Sequence, residues 1–272
     1  MPTDPLDVWR DALADWAIPE HILAAAPESP WLLPRDLFAR RADAQIERPT
    51  GIALARAAEA LPAGGTVLDV GAGAGAASLP LTGATRLIAV DSEAGMIAEL
   101  RSRAARRGLQ VVSIVGRWPD VSPRTPIADV VVCSHVLYNI PDIAPFVVAL
   151  GEHAGRRVVL EITARHPLSA LSPLWRRFHG IERPERPTWQ DASAAIRAAG
   201  IQPRAEVYRR PPGAAVAVSF EAFVRMTRIR LCLAPEREPE VAAALVERGA
   251  DRSDPTTWTP GADDLVVLWW DV

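Results

Sequence analysis

The sequence predicts a doubly wound α/β fold, in which helices cover both faces of a mostly parallel β-sheet. Short, continuous apolar runs recur between residues 66 and 163, as expected for strands that are buried on both faces. Segments with helical patterning separate these runs, and this alternation is typical of a parallel sheet. A turn with three glycines follows the first run, at the position where such sheets bind a small ligand.

The composition is that of a folded protein and excludes some chemistry. The 272 residues are 49% hydrophobic, which is enough to bury a core. A net charge of −3 and a pI near 6.0 argue against nucleic acid as the main partner. All 30 basic residues are arginines, and the absence of lysine excludes Schiff-base chemistry. The two cysteines suggest neither a disulfide framework nor a metal cluster, so no metal is expected.

The N-terminal residues predict a helix rather than a targeting segment. Asp4, Pro5 and Asp7 form a pattern that caps and begins a helix. This stretch is acidic and is not followed by the apolar core of a signal peptide. Because no apolar run is long enough to cross a bilayer, we expect a cytoplasmic protein without membrane contact.

The remaining elements follow from apolar runs and capping signals. The predicted strands, in chain order, are Thr66–Val70, Leu87–Asp91, Val111–Val115, Asp129–Cys133, Val158–Thr163, Arg204–Arg209 and Asp264–Asp271. A capping box at Thr188–Asp191 begins a helix that ends near Gly200. Two further helices are predicted between the last two strands, over Phe220–Leu233 and Glu238–Arg248.

The glycine turn predicts a strand, a tight turn and a helix start. Glycine permits positive φ and lets a ligand approach the backbone, and a helix start offers unpaired N–H groups. Gly71 and Gly73 followed by Ala76 also satisfy the dinucleotide fingerprint, so the glycines alone do not name the ligand. Asp69 favours a ligand with an ammonium group, because its carboxylate would repel a pyrophosphate.

The pattern Asp69-x-Gly71-x-Gly73-x-Gly75 resembles the first motif of class I S-adenosylmethionine (SAM)-dependent methyltransferases. The resemblance covers about residues 50–163 and extends more loosely to the end of the chain. It implies a seven-stranded, mostly parallel sheet with an antiparallel last strand, helical insertions, and SAM as the cofactor, with S-adenosylhomocysteine as the product. The resemblance also implies that the chain is a single methyltransferase domain. Its parts would be an N-terminal helical lid at 1–49, a SAM-binding core at 50–164, an insertion over the acceptor site at 165–187 and the C-terminal part of the sheet, with a helical insertion, at 188–272.

The cofactor residues implied by the resemblance lie after the first four strands. Asp91 ends the second strand twenty residues after Gly71, a spacing that places an acid on a ribose. The family usually has an acid directly after the glycine at position 116, but this chain has Arg117, which cannot accept a hydrogen bond from adenine. Trp118 stacks on adenine or packs at the sheet edge, and both interpretations stand. The cofactor-binding residues are predicted to be Asp69, Gly71, Gly73, Gly75, Asp91, Ser92, Met96, Gly116, Arg117, Trp118 and Ser134.

The catalytic residue is not identified by the sequence. Methyl transfer is an in-line displacement, and the protein chiefly aligns the reactants and excludes water. A base is needed only if the acceptor must lose a proton. The candidates for that role are His135, Tyr138 and His166. Glu161 lies within the fifth strand, where an acid is costly unless it is paired.

An arginine-rich insertion follows the fifth strand and gives the prediction for the acceptor. Arg176, Arg177, His179 and Arg183 could hold a carboxylate or phosphate of an anionic acceptor. The alternative is a solvated helix face whose arginines pair internally with Glu182 and Glu185.

The sequence therefore predicts a methyltransferase that acts on an unidentified small-molecule acceptor, as a monomer or homodimer. An RNA methyltransferase that grips its substrate with the insertion is a second hypothesis, although the overall acidity counts against it. A non-catalytic SAM-binding protein is a third. An NAD(P)-dependent oxidoreductase is the fourth, and it lacks support because no Tyr-x-x-x-Lys pair is possible without lysine.

Overall fold

A computed structural model describes residues 3–31, 35–209, 219–258 and 264–272 and shows one seven-stranded sheet in the order β3-β2-β1-β4-β5-β7-β6. The strands are β1 Gly65–Val70, β2 Ala84–Asp91, β3 Gln110–Val115, β4 Ala128–Ser134, β5 Ala154–Thr163, β6 Arg204–Arg209 and β7 Asp264–Asp271. Strand β7 is antiparallel to both β5 and β6, and the pairs among β1 to β5 are parallel. The predicted fold class is confirmed, including the antiparallel last strand.

Helices cover both faces of this sheet, as the continuous apolar strands require. They are α1 Pro5–Ala14, α2 Glu20–Ala25, α3 Arg35–Glu47, α4 Ile52–Ala60, α5 Ala94–Arg106, α6 Ile143–Glu152, α7 Ser172–His179, α8 Trp189–Ala198, α9 Phe220–Arg230 and α10 Glu238–Glu247. Helices α1, α6 and α8 pack on one face around the fully buried Trp9 and Phe146. Helices α4 and α5 pack on the other face, around Ala57 and Leu100. Within the described ranges, no helix combines the length and apolar character that crossing a membrane requires.

A third group of helices forms a cap at the carboxyl edge of the sheet. Helix α7 follows the carboxyl end of β5, and α9 and α10 lie between the carboxyl end of β6 and the start of β7. This cap, defined as α2, α7, α9 and α10, has its own apolar core. Its buried anchors include Ile22, Trp175, Phe220, Val224 and Leu245. The two helices predicted between the last strands are therefore present and belong to the cap.

The N-terminal segment runs from one face of the sheet to the other. Helix α1 packs with α6 and α8, whereas α3 lies against α5, where Asp43 accepts two hydrogen bonds from the buried Arg103 at 2.8 and 3.1 Å. Between them the chain passes the cap, and Trp16 donates its indole N–H to the Arg186 carbonyl at 2.6 Å. That this segment acts as a lid stays a prediction.

One element of the prediction is wrong, because no helix follows the glycine turn. Residues 71–83 form turns and a bend that lead into β2. A single helical hydrogen bond forms, from the Leu79 N–H to the Gly75 carbonyl at 3.0 Å. Pro80 stops the helix there, since it has no N–H to donate and disfavours helical geometry at the residue before it. A ligand at this edge of the sheet therefore meets a turn and not the N–H groups of a helix terminus. The Gly71 and Ala72 N–H groups of that turn donate to the Val90 carbonyl.

Candidate functional site

The three glycines of the turn have different roles. A Cβ at Gly71 would lie 2.2 Å from Val136 Cγ2, and a Cβ at Gly75 would lie 2.5 Å from Leu79 Cδ1. Both residues therefore allow close packing inside the protein, and both have positive φ, at 71° and 91°. Gly73 has a φ of 51°, and no atom of the described residues lies within 4 Å of a Cβ built on it. Gly73 is thus where a ligand can approach the turn.

Asp69 is a buried acid with one unsatisfied oxygen. The residue is 1% exposed, and the Ser78 hydroxyl donates to Oδ2 at 2.5 Å. Among the described residues, Oδ1 has no hydrogen-bond partner. Burial raises the pKa of Asp69 to about 7, a shift that the Ser78 bond opposes and the charge of Asp91 reinforces. A cationic donor next to Oδ1, such as an ammonium group, would satisfy this oxygen and favour the ionised form.

Asp91 fixes the glycine turn and lies at the neighbouring strand end. Its Oδ2 accepts the Gly73 N–H at 2.8 Å, and its Oδ1 accepts the Glu93 N–H at 2.8 Å. A carboxylate oxygen can accept a second hydrogen bond, so both remain suited to the hydroxyls of a ribose. Ser92 is exposed and Met96 is half-buried at the start of α5. The structure thus brings four predicted cofactor residues to one edge: Gly73, Asp91, Ser92 and Met96.

The segment after β3 departs from the simplest cofactor prediction. Trp118 is 7% exposed and donates its indole N–H to the Phe146 carbonyl at 3.2 Å. Its ring also meets the edge of His153 at a centroid distance of 5.0 Å. This packing favours the interior role over stacking on adenine. Gly116 turns the chain at the end of β3, and Arg117 is exposed.

A polar cluster lies at the carboxyl end of β4. Ser134 is paired in register with Glu161 of β5, and the His135 N–H donates to the Glu161 carbonyl at 2.7 Å. The His135 ring nitrogen Nε2 lies 3.3 Å from Glu161 Oε1. The Tyr208 hydroxyl donates to Glu161 Oε2 at 2.5 Å, and Arg41 Nη2 lies 3.5 Å from His135 Nε2. We call these four side chains, Arg41, His135, Glu161 and Tyr208, the His135 cluster.

Sequence reasoning missed two members of this cluster. Glu161 gave a signal, because an acid inside an apolar strand needs a partner. Nothing pointed to Tyr208, which is 47 residues from Glu161 and belongs to a strand that does not pair with β5. Arg41 lies on a helix that the sequence did not relate to β4, so its position depends on the tertiary packing of α3.

The other two base candidates, Tyr138 and His166, lie in a separate aromatic cluster. Tyr138 donates its hydroxyl to the Thr163 carbonyl at 2.9 Å, and burial raises the pKa of this phenol well above its usual value. His166 stacks on Trp16 with ring centroids 3.9 Å apart. Burial and the charges of Arg183 and Arg230 lower the pKa of His166 to about 3, so its ring is neutral. These environments favour structural roles for both.

The insertion residues are paired inside the protein. Arg176 and Arg177 form exposed ion pairs with Glu182 and Glu247. The His179 ring nitrogen Nε2 lies 2.7 Å from the Leu231 carbonyl oxygen.

Arg183 is 8% exposed and holds the N-terminal segment against the cap. It donates to the carbonyls of Trp16 and Ala17, and its guanidinium lies 5.2 Å from the Trp16 ring and 5.1 Å from the Trp175 ring. The structure does not bring Arg183 together with Arg176, Arg177 and His179 as a ligand-facing group. It favours the alternative of internal pairing, although Glu247 takes the place expected for Glu185.

Comparisons with known proteins agree with this geometry. Residues 67–152 match a family model described as a methyltransferase domain. No curated protein matches the chain. A cyclopropane-fatty-acyl-phospholipid synthase-like protein from Lactobacillus casei is similar in structure, with a TM-score of 0.55, 13% identity and coverage of 93% of this chain and 98% of that one. The YcgJ protein from Bacillus subtilis gives a TM-score of 0.51 at 18% identity, with coverage of 80% and 96%. The structural similarities concern the fold, and the family model concerns the segment that carries the glycine turn, Asp91 and the His135 cluster's histidine. Residues 67–152 are therefore similar to a methyltransferase domain, and the fold of the chain is similar to that of the two solved structures.

Proposed function

We propose that this protein is an enzyme that transfers a methyl group from SAM to a small-molecule acceptor. The observation that carries the proposal is the buried Asp69 carboxyl, whose Oδ1 has no partner among the described residues. It lies directly before the glycine turn, at the point where strand order reverses between β1 and β4. Ligands of open α/β sheets bind at such a point.

The residues present fit SAM in three places. Asp69 Oδ1 would accept a hydrogen bond from the ammonium group of the methionine part, which also supplies the missing counter-charge. Asp91 would hold the ribose hydroxyls while it continues to fix Gly73. Met96 lies half-buried at the start of α5, where it would contact the adenine. When bound, SAM supplies an electrophilic methyl group and retains the electron pair of the broken carbon–sulfur bond.

The competing functions have weaker support. A dinucleotide would bring its pyrophosphate toward Asp69, whose ionised form repels it. An RNA substrate would need free cations in the insertion, whereas Arg176 and Arg177 pair with acids. A non-catalytic SAM-binding protein would bind SAM without transferring the methyl group, so a transfer assay distinguishes it from the enzyme. We propose a cytoplasmic protein that acts as a monomer or homodimer.

Calorimetric titration with SAM, S-adenosylhomocysteine and NAD tests the cofactor. We expect binding of the first two, and loss of that binding in Asp69→Asn. The matched control is Asp129→Asn, because Asp129 is an acid of the same sheet that accepts the Thr66 N–H at 2.8 Å at the opposite edge. Binding of NAD alone would refute the proposal.

A labelled-methyl transfer screen tests the activity. Lysate fractions separated into nucleic acid, protein and small metabolites are incubated with the protein and methyl-labelled SAM. We expect label in the small-metabolite fraction. Salt-sensitive labelling of the nucleic acid fraction would favour the RNA methyltransferase, and SAM binding without any transfer would favour the non-catalytic protein.

A further inference from the structure

We propose that His135 and Glu161 form a proton-accepting pair for an acceptor with an acidic hydroxyl group, a phenol or an enol. His135 is the catalytic residue, and Glu161 and Tyr208 position it. The proposal rests on the proposed methyltransferase function and names the substrate class of that site.

The pair lies beside the proposed cofactor site. His135 follows the last residue of β4, and the next residue is Val136. Val136 packs closely against Gly71, since a Cβ built on Gly71 would lie 2.2 Å from Val136 Cγ2. His135 therefore lies next to the glycine turn, since the residue that follows it contacts Gly71. On its other side, His135 continues the hydrogen-bond ladder to Glu161 at 2.7 Å. His135 therefore lies between the glycine turn and Glu161 of β5.

The backbone of His135 is held in an uncommon conformation. Its φ is 60°, in the left-handed region that residues other than glycine rarely adopt. Such strain costs roughly 1 kcal/mol or more and persists where the surrounding structure enforces it, often at active sites. Here the bond to the Glu161 carbonyl and the contact of Val136 with the turn enforce it. The side chain is 27% exposed, so it is accessible from solvent.

Glu161 and Tyr208 orient the imidazole. Glu161 Oε1 lies 3.3 Å from His135 Nε2, where a carboxylate stabilises the protonated ring. The Tyr208 hydroxyl holds the other carboxylate oxygen at 2.5 Å, which fixes the rotamer of Glu161. Glu161 is 16% exposed, so solvent screens this interaction only in part. An acid, a histidine and a fixed orientation are the requirements of a general base.

Arg41 selects the class of acceptor. Its Nη2 lies 3.5 Å from His135 Nε2, so the guanidinium faces the atom that takes the proton. A positive charge at that place favours an oxygen that becomes negative and disfavours an amine that enters as an ammonium ion. The acceptor's O–H would displace Arg41 from Nε2, and the guanidinium would then stabilise the oxyanion. In the step, the O–H bond breaks, the proton moves to His135 Nε2, and the electron pair stays on the oxygen.

Histidine-selective NMR titration of the ligand-free full-length protein tests the pair. The chain has five histidines, so the His135 signals can be assigned by comparison with His135→Gln. In Glu161→Gln we expect the midpoint of the His135 titration to move to lower pH by about one unit, because the ring loses its anionic neighbour. In Arg41→Gln we expect it to move to higher pH.

The matched control is Glu206→Gln. Glu206 is an acid of β6 that pairs with Arg56 at 2.7 Å, two residues from Tyr208, and its loss should leave the His135 midpoint unchanged. An unmoved midpoint in Glu161→Gln, or an equal shift in Glu206→Gln, would overturn the proposal. Opposite shifts in Glu161→Gln and Arg41→Gln cannot arise from unfolding, which would move both toward the same unfolded value.

Product analysis with the acceptor found in the labelled-methyl screen tests the substrate class. We expect a new O-methyl bond, turnover reduced at least about 100-fold in His135→Gln, and unchanged SAM affinity. Tyr208→Phe should lower kcat while the KM for SAM stays constant, as expected for a residue that acts through Glu161. An N- or S-methyl product refutes the inference while the proposed function stands, whereas failure to bind SAM refutes the proposed function itself.

Discussion

The buried Asp69 carboxyl should make the stability of the ligand-free protein depend on pH. Its pKa is about 7 in the folded protein against 3.8 in its ordinary environment, chiefly because burial disfavours the charge. Between these two values the folded chain holds a proton that the unfolded chain has released. Stability that is present below the lower pKa is therefore lost as the pH rises through the higher one. At about 1.4 kcal/mol for each unit of pKa difference, the loss is about 4 kcal/mol in total.

Urea denaturation of the wild type and Asp69→Asn measures this loss. The free energy of unfolding of the wild type, relative to that of the variant, should fall by about 2 to 3 kcal/mol between pH 5 and pH 8. The difference between the two proteins is the quantity of interest, because other groups titrate equally in both. Asp129→Asn should keep the wild-type dependence. Parallel curves for the wild type and Asp69→Asn would refute the reasoning.

Addition of SAM extends the same test to function. If an ammonium group binds at Asp69 Oδ1, the ligand favours the ionised carboxyl, and binding releases a proton below about pH 7. Saturating SAM should then stabilise the wild type more at pH 8 than at pH 5. Calorimetry in two buffers with different ionisation enthalpies counts the released protons. A stabilisation that does not change with pH would show that Asp69 does not hold the ammonium group.

Two matched pairs of substitutions test the packing of the site. Gly71→Ala should lower the free energy of unfolding by about 2 to 4 kcal/mol in urea denaturation, since it combines positive φ with a clash against Val136. Gly73→Ala, which meets open space, should cost only about 1 kcal/mol yet weaken SAM binding in calorimetry. Arg183→Ala should cost about 2 kcal/mol, because the buried guanidinium joins the N-terminal segment to the cap. Arg177→Ala should stay within about 0.5 kcal/mol and keep full activity, as an exposed ion pair contributes little. Large effects in Arg177→Ala and none in Arg183→Ala would reverse this assignment.

The strands and most helices were predictable from the sequence because they depend on local patterns. Continuous apolar runs identified six of the seven strands, all but Arg204–Arg209, and the capping box at Thr188 and Asp191 identified the start of α8. The helix after the glycine turn was predicted wrongly, although the sequence holds the reason. Pro80 follows within the first turn of that helix, and its effect outweighs the helix propensity of the alanines before it.

The donor side of the site was more predictable than the acceptor side for a physical reason. Asp69, the glycines and Asp91 belong to two adjacent strands and one short turn, so their spacing along the chain fixes their spacing in space. That the insertion arginines hold the acceptor stays a prediction, and the structure favours internal pairing, because a charge-rich stretch does not show which acids will pair with it. Glu247 reaches Arg177 from α10, and no local pattern relates the two residues.

The His135 cluster could not be predicted because it is assembled from four separate parts of the chain. Its members come from α3, from the residue after β4 and from the last three residues of β5 and of β6, and only the order of strands brings Glu161 within reach of Tyr208. The same packing connects the cluster to the cofactor side. Asp43 anchors α3 to Arg103 of α5, the helix that begins beside Asp91, while Arg41 of α3 reaches His135. Displacement of Arg41 by an acceptor would therefore act on a helix that is fixed to the cofactor half of the site. Because α3 contacts both halves, its position relative to α5 should determine whether donor and acceptor are held at the same time.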